Sequence, residues 1–371
     1  VGFRPFFPLA CVAAVLSPVA WVGVRAGLWR GPVGLDALQW HAHEMFYGFG
    51  FAVVAGFLLT ATKNWVKTRG HYGVTLQLLV AAWLLERVSL WFGGAWPPAL
   101  RELTRFAFGV GLLLAIGWTL LRAKVTGPYR GNAVFLVALG AALAARALLL
   151  SHAHFAEGRE LSLAFFRVLF VVMLERTLVQ FMKATFNVEV WRVPVVDVGV
   201  KALAVALLAA PWLPPVVDDA LRVTLALLFG LRLVAWRADL ALRRLDLAVM
   251  YLGGWALCAE LLLTTAGGAW VGALPLHVFT FGTMGLIIPA MLLRIARGHT
   301  GRPVRFDALD RAVLWVMLAA FVARLVAPQL APAQYGAWLW VAAGLWALGF
   351  TVTGARITPL LLAPRVDGKE H

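Results

Sequence analysis

Trp40-His41-Ala42-His43-Glu44-Met45 opens an apolar run that continues without another charge to Ala61. As a helix, residues 38–61 would cover ~36 Å, enough to cross a hydrocarbon core of roughly 30 Å. An imidazole or a carboxylate in that core is costly unless it is paired or bound to a metal. One segment therefore points both to a membrane span and to a site inside it.

Other runs of the same kind lie on either side. Twelve in all are expected, at about 6–27, 38–61, 73–93, 103–121, 132–150, 161–183, 196–213, 219–236, 247–266, 274–296, 311–328 and 335–354. Polar or Gly/Pro-rich breaks such as Gly93-Gly94-Ala95-Trp96-Pro97-Pro98 separate them. The chain is 62% hydrophobic and 14% charged, which leaves no room for a soluble domain among its 371 residues. The expectation is an all-α integral membrane protein, residues 1–371 forming one polytopic domain of about twelve transmembrane helices in one bundle. The first run reads as a retained span, and no internal repeat or low-complexity linker stands out.

A net charge of +15 could suggest nucleic acid, but the basic residues sit in short gaps between apolar runs. Loops on the side of the N-terminus hold nineteen Lys and Arg, among them Arg4, Lys67, Arg69, Lys124, Arg130 and Lys369. The opposite loops hold five: Arg25, Arg30, Arg101, Arg159 and Arg222. That asymmetry places both termini in the cytoplasm and argues for a lipid bilayer as partner, not nucleic acid. Cys11 and Cys258 lie in separate runs and form no redox, haem-attachment or iron–sulfur spacing.

On this topology His41, His43, His152, His154 and His277 all fall near the outer face. His299 ends the tenth run, ~33 Å along the helix from His277, so those two cannot share one metal; His71 lies inside and His371 is the last residue. Imidazole is the commonest metal ligand and suits iron, copper and zinc alike. His41, His43, His277, His152 and His299 are the candidate ligands. His41 and His43 are about 200° apart on a helix, so each should serve a different partner. The face of His41 continues through Glu44, Gly48, Ala52 and Gly56, and that of His43 through Tyr47, Gly50 and Val54.

Charges inside the runs mark a working interior. Glu86, Arg87, Arg146, Arg167, Glu260 and Arg324 are among them, with Glu175 and Arg176 nearer the cytoplasm. Two readings stay open. The charges either neutralise one another and set helix register, or Arg87, Arg167 and Arg176 hold haem propionates while Glu44, Glu86 and Glu260 move protons. The seventeen Trp are assigned mostly to interfacial belts.

Phe3-Arg4-Pro5-Phe6-Phe7, Trp40-His41-Ala42-His43-Glu44-Met45, Asn64-Trp65, and His277 followed by Arg294 and Gly298-His299-Thr300-Gly301-Arg302 resemble the NnrS family over essentially the whole chain. The resemblance implies a bacterial inner-membrane protein that contains haem b and copper and is linked to nitric oxide metabolism and nitrosative stress. His152 stands where the family commonly has Phe-His-Leu, here Ser-His-Ala. The sixth run departs more clearly. Leu174-Glu175-Arg176 replaces a Gly-Gly-Arg, and Val179-Gln180-Phe181-Met182 replaces a Pro-Phe-Phe-Thr-like turn, so Arg176 alone carries over there.

The first functional expectation is an oxidoreductase resembling a nitric oxide reductase. Haem would be held at His41 or His43 with His277, a second metal near His152, and electrons would come from a membrane quinol or an external donor. The alternatives are a protein that binds nitric oxide or haem without turnover, and an exporter of a metal or metal-nitrosyl species. A transporter would carry broken helices and an internal repeat, and Pro289 is the one strong mid-run breaker expected.

Overall fold

The computed structural model describes residues 1–66, 70–122 and 134–368. Lys67, Arg69, Lys124, Arg130, Lys369 and His371 lie outside the described residues. Among the described residues the chain is helical and has no strands. Within lipid, a helix satisfies its own backbone polar groups.

Helix α1 (Phe3–Arg25) precedes α2 (Ala37–His43), which Asp36 starts by accepting hydrogen bonds from Leu38 and Gln39 N–H. A π-helical segment at Glu44–Gly50 leads directly into α3 (Phe51–Val66). Next come α4 (Val74–Phe92), α5 (Pro98–Arg122), α6 (Val134–Leu149) and α7 (Phe155–Phe186). Helix α8 (Pro194–Ala206) continues as a 3-10 turn, and α9 (Pro215–Ala235), α10 (Ala238–Ala241) and α11 (Leu245–Ala266) follow. Helix α12 (Leu274–His277) enters a second π-helical segment, Val278–Met284, and continues as α13 (Gly285–His299). The chain closes with α14 (Ala308–Leu325), the short α15 (Ala327–Leu330) and α16 (Tyr335–Leu362).

Nine segments among the described residues are long and apolar enough to cross a membrane, so the chain is a multi-pass membrane protein. They include Phe3–Arg25, Ala37–Thr62, Leu245–Ala266 and Leu274–His299. Helix α6 is shorter, and α7 and α9 are not among the nine because each carries several charges, such as Asp218, Asp219, Arg222 and Arg232 on α9.

The helices gather into two compact units. One comprises Val1–Ser162, His299–Arg302 and Gly354–His371; the other comprises Leu163–Gly298 and Pro303–Thr353. In the first unit α1 packs along α3, and α4 packs along α5. In the second, α11 packs against α9 and the Val278–Met284 segment.

Among the described residues each unit contains one histidine-led, π-interrupted helix, and the two share a common spacing. His43 to His277, Gly48 to Gly282, and the start of α4 at Val74 to the start of α14 at Ala308 are each separated by 234 residues. The π-helical bonding is explicit at both ends: Phe51 N–H bonds Phe46 O, and Gly285 N–H bonds Thr280 O, each five residues back. Pro289, one turn further on in α13, can give no ladder bond of its own.

Candidate functional site

The first unit's site forms where α2 runs into the π segment, and there the Glu44 carboxylate turns toward His43, its neighbour in the chain. His43 is fully buried, and its Nδ1 is 3.3 Å from Glu44 Oε1. Its Nε2 accepts a hydrogen bond from Arg146 Nε at 2.8 Å and lies 3.5 Å from Glu86 Oε1.

Glu86 is the hub. Its carboxylate pairs with Arg146 Nη2 and, at 3.1 Å, with Arg87 Nη2; Arg87 Nε reaches Glu44 Oε1 at 3.0 Å. Two carboxylates and two guanidiniums around a histidine make a neutral set when the imidazole is neutral. That balance is what makes the cluster tolerable inside a span. The π segment adds two bonds of its own. Tyr47 O accepts from Arg87 Nη1 at 3.2 Å, and Gly48 O accepts from Trp83 Nε1 at 3.1 Å. Gly48 gives the charges room, because a Cβ there would stand 2.8 Å from Glu44 Oε2. Tyr47 closes the lower side with a 2.8 Å hydrogen bond to Ser162.

His41 points elsewhere, as its angular offset predicts: its ring stacks on Trp21 with centroids 4.4 Å apart. Gln39 Nε2 donates to Leu149 O at 3.3 Å, which brings the start of α2 beside the end of α6, just before the exposed His152. His154 is also exposed, 3.8 Å from Glu157. His299 packs its ring on Phe3 at 5.3 Å, and its carbonyl accepts from Arg365 at 2.9 Å. The Gly-His-Thr-Gly-Arg stretch is thus bound to the C-terminal segment.

The second unit holds a different arrangement. His277 is half-buried, its Nδ1 donates to Ala273 O at 2.8 Å, and Arg324 Nη2 lies 3.2 and 3.1 Å from its two ring nitrogens. Near-equal distances place that guanidinium over the ring, because an in-plane bond reaches one nitrogen at a time. A proton on Nδ1 leaves Nε2 as the lone-pair nitrogen, the tautomer a metal-binding histidine adopts. Glu260 and Arg167 form a bidentate pair at 3.0 and 2.5 Å, both buried, and Thr264 donates to Glu260 Oε1 at 3.3 Å. Glu175 is enclosed by Arg192, Lys201 and Arg232 at 2.6, 3.1 and 3.4 Å, while Arg176 is half-buried on α7.

The expected residues therefore separate into sets. Glu44, Glu86, Arg87 and His43 come together, joined by Arg146; Arg167 and Glu260 pair with each other; His277 stands with Arg324. Among the described residues no group of three or more His, Cys, Asp or Glu is arranged to hold a metal ion. Trp83 and Ser162 are site residues that the sequence reading left out, while Tyr47 lies on the face of His43 as expected. A signal for one was present: Trp83, Arg87 and Trp91 recur every four residues on one face of α4.

A family model described as "NnrS protein" matches residues 1–365. No curated protein matches the chain. The chain belongs to the NnrS family.

Proposed function

For a member of the NnrS family with this site, we propose a haem- and copper-containing protein of the bacterial inner membrane that reduces nitric oxide to N2O with electrons drawn from the membrane. All twelve apolar helices then span the bilayer with both termini in the cytoplasm. The observation that carries this reading is the buried cluster of His43, Glu44, Glu86, Arg87 and Arg146, a set of proton-exchanging groups held inside spans. Such groups in hydrocarbon are expensive and mark ion or proton paths.

Fit to a metal differs among the histidines. His277 fits an iron ligand best, because the bond from Nδ1 to Ala273 O orients its Nε2 as second-shell bonds orient ligand histidines. His43 fits less well, since its Nε2 already accepts from Arg146. His41, His152 and His299 are the remaining candidates for the copper. Bound haem iron supplies an open position for a diatomic gas and one-electron redox chemistry.

The chain's own residues do the rest. Glu44 and Glu86 hold and release protons; Arg87 and Arg146 keep those carboxylates oriented and neutralised. The bidentate Arg167–Glu260 pair is a second proton-holding station, and Thr264 orients it.

One observation favours an exporter of a metal or metal-nitrosyl species instead: two interrupted helices related by a 234-residue spacing are what inverted- or parallel-repeat transporters contain. A reduced-minus-oxidised spectrum of the purified full-length protein, with iron and copper quantified and nitric oxide then added, separates the readings. A haem band that shifts and recovers as nitric oxide disappears is the expected result, and His277→Ala should abolish the band while the protein still inserts. A shifted band that never recovers would leave a binding protein; no haem and no copper would leave the exporter.

A further inference from the structure

Beside the His43 cluster, α1, α2 and α4 enclose a cavity of about 410 Å³. Its floor is the Glu44–Arg87 ion pair, and Trp40, Trp83 and Trp91 stand in its walls. The rim is apolar and exposed: Leu16 on α1 is 62% exposed and Phe92 on α4 is 58% exposed. Both helices are long and apolar enough to cross a membrane, and the exposed rim between them is apolar, as an opening toward lipid requires. The indoles are fixed in place. Trp40 meets Trp91 edge-on at 4.7 Å, and Trp83 is held by Gly48 O and by the Arg87 guanidinium 5.1 Å from its ring.

We propose that this cavity binds a membrane quinol, its hydroxylated ring against the indoles with a hydroxyl on the Glu44–Arg87 pair, and its apolar tail in the lipid. The volume lies in the range of small-molecule sites, roughly 300–1,000 Å³, and aromatic walls with a few polar groups at one end are how such sites orient a ring. Other occupants fit less well. Glu44 and Arg87 already neutralise each other, which suits a neutral hydroxyl that can donate to the carboxylate and disfavours a fatty-acid anion. The lining contains no histidine, cysteine or methionine, so a haem seated there would have no axial ligand.

The proposal rests on the nitric oxide reading for its purpose. Oxidation of one quinol to the quinone releases two electrons and two protons, and reduction of two NO to N2O and water consumes two of each. Glu44, at the floor, is also hydrogen-bonded to His43 and shares Arg87 with Glu86, so the first acceptor of a quinol proton is already part of the buried cluster.

The test is a titration of full-length protein in detergent with decyl-ubiquinone, read by tryptophan fluorescence, with 1-decanol as a tail-only competitor. Saturable quenching that decanol does not displace is expected. Ala20→Phe and Leu84→Phe, which narrow the cavity from α1 and α4, should each weaken binding at least ten-fold with little change in thermal midpoint. Quenching that never saturates, that decanol displaces equally, or that both variants leave unchanged would overturn the site. Nitric oxide consumption driven by decyl-ubiquinol is measured alongside. Binding without consumption removes the reductase and leaves the quinol site; consumption that Ala20→Phe and Leu84→Phe do not slow removes the site and leaves the reductase.

Discussion

Helix α2 in one unit and helix α12 in the other each end on a histidine and run into a seven-residue π-helical segment with glycine at the same place, Gly48 and Gly282. Around His43 the backbone device serves charge. The π carbonyls accept from Arg87 and Trp83, and the space above Gly48 is taken by the Glu44 and Arg87 side chains. Around Gly282 it serves packing, for a Cβ there would meet Ala256 Cβ at 2.5 Å and Phe321 Cε2 at 2.9 Å. The neighbouring Thr283 donates to Gly253 O on α11 at 2.9 Å. One local geometry thus supports a buried ion cluster in one unit and a close helix–helix approach in the other. Identity of backbone does not imply identity of chemistry; the neighbours decide.

The largest effect should come from the hub of the charged cluster. Glu86→Ala leaves the buried Arg146 and the partly buried Arg87 guanidiniums short of their shared carboxylate and is expected to cost about 3–5 kcal/mol, read as a collapse of the thermal midpoint in detergent. A midpoint within error of the wild type would break the view that the cluster is held together by charge.

Next in size is the histidine contrast. His43→Ala removes a fully buried ring that accepts from Arg146, and about 2–4 kcal/mol should be lost. His277→Ala, at a half-buried site, should cost about 1 kcal/mol, and if the proposed haem is present the change should show chiefly in its band. Equal losses would erase the distinction drawn between the two units.

The glycine pair sharpens it further. Gly282→Ala pushes a methyl into packed carbon and is expected to cost about 1–3 kcal/mol. Gly48→Ala meets the ends of flexible side chains, so less stability should be lost there, although the Glu44–Arg87 pair must shift. Tyr47→Phe deletes the hydrogen bond to Ser162 and should lower stability by about 1 kcal/mol, as little as His277→Ala.

Much of the fold was legible because hydropathy acts residue by residue. Among the described residues the apolar runs lie in helix, and nine helical segments are long and apolar enough to cross a membrane. Trp21 stacking on His41 while Arg146 holds His43 follows from two positions being about 200° apart on a helix. The reading of Glu and Arg as mutually neutralising pairs describes Glu86 with Arg146 and Glu260 with Arg167. Phase was harder to read. Extending the face of His41 through Gly48, Ala52 and Gly56 assumed 3.6 residues per turn throughout, and the π segment re-phases the residues that follow Glu44. The expectation that most of the seventeen Trp sit in interfacial belts does not single out Trp83 and Trp91 of α4, because composition cannot tell an interface from a cavity wall.

By itself, then, the sequence determined that this is a helical membrane protein of the NnrS family, and that histidines and charges costly in hydrocarbon lie within its spans. Transfer free energy depends on each side chain's own chemistry, so it can be read without coordinates. Tertiary structure alone decided which charges meet: Glu86 with Arg146, sixty positions away, and Arg167 with Glu260, still further. It also decided where a helix widens by one residue, and that three tryptophans and an ion pair line one cavity. Those outcomes depend on distances between helices, and packing across the unit sets them.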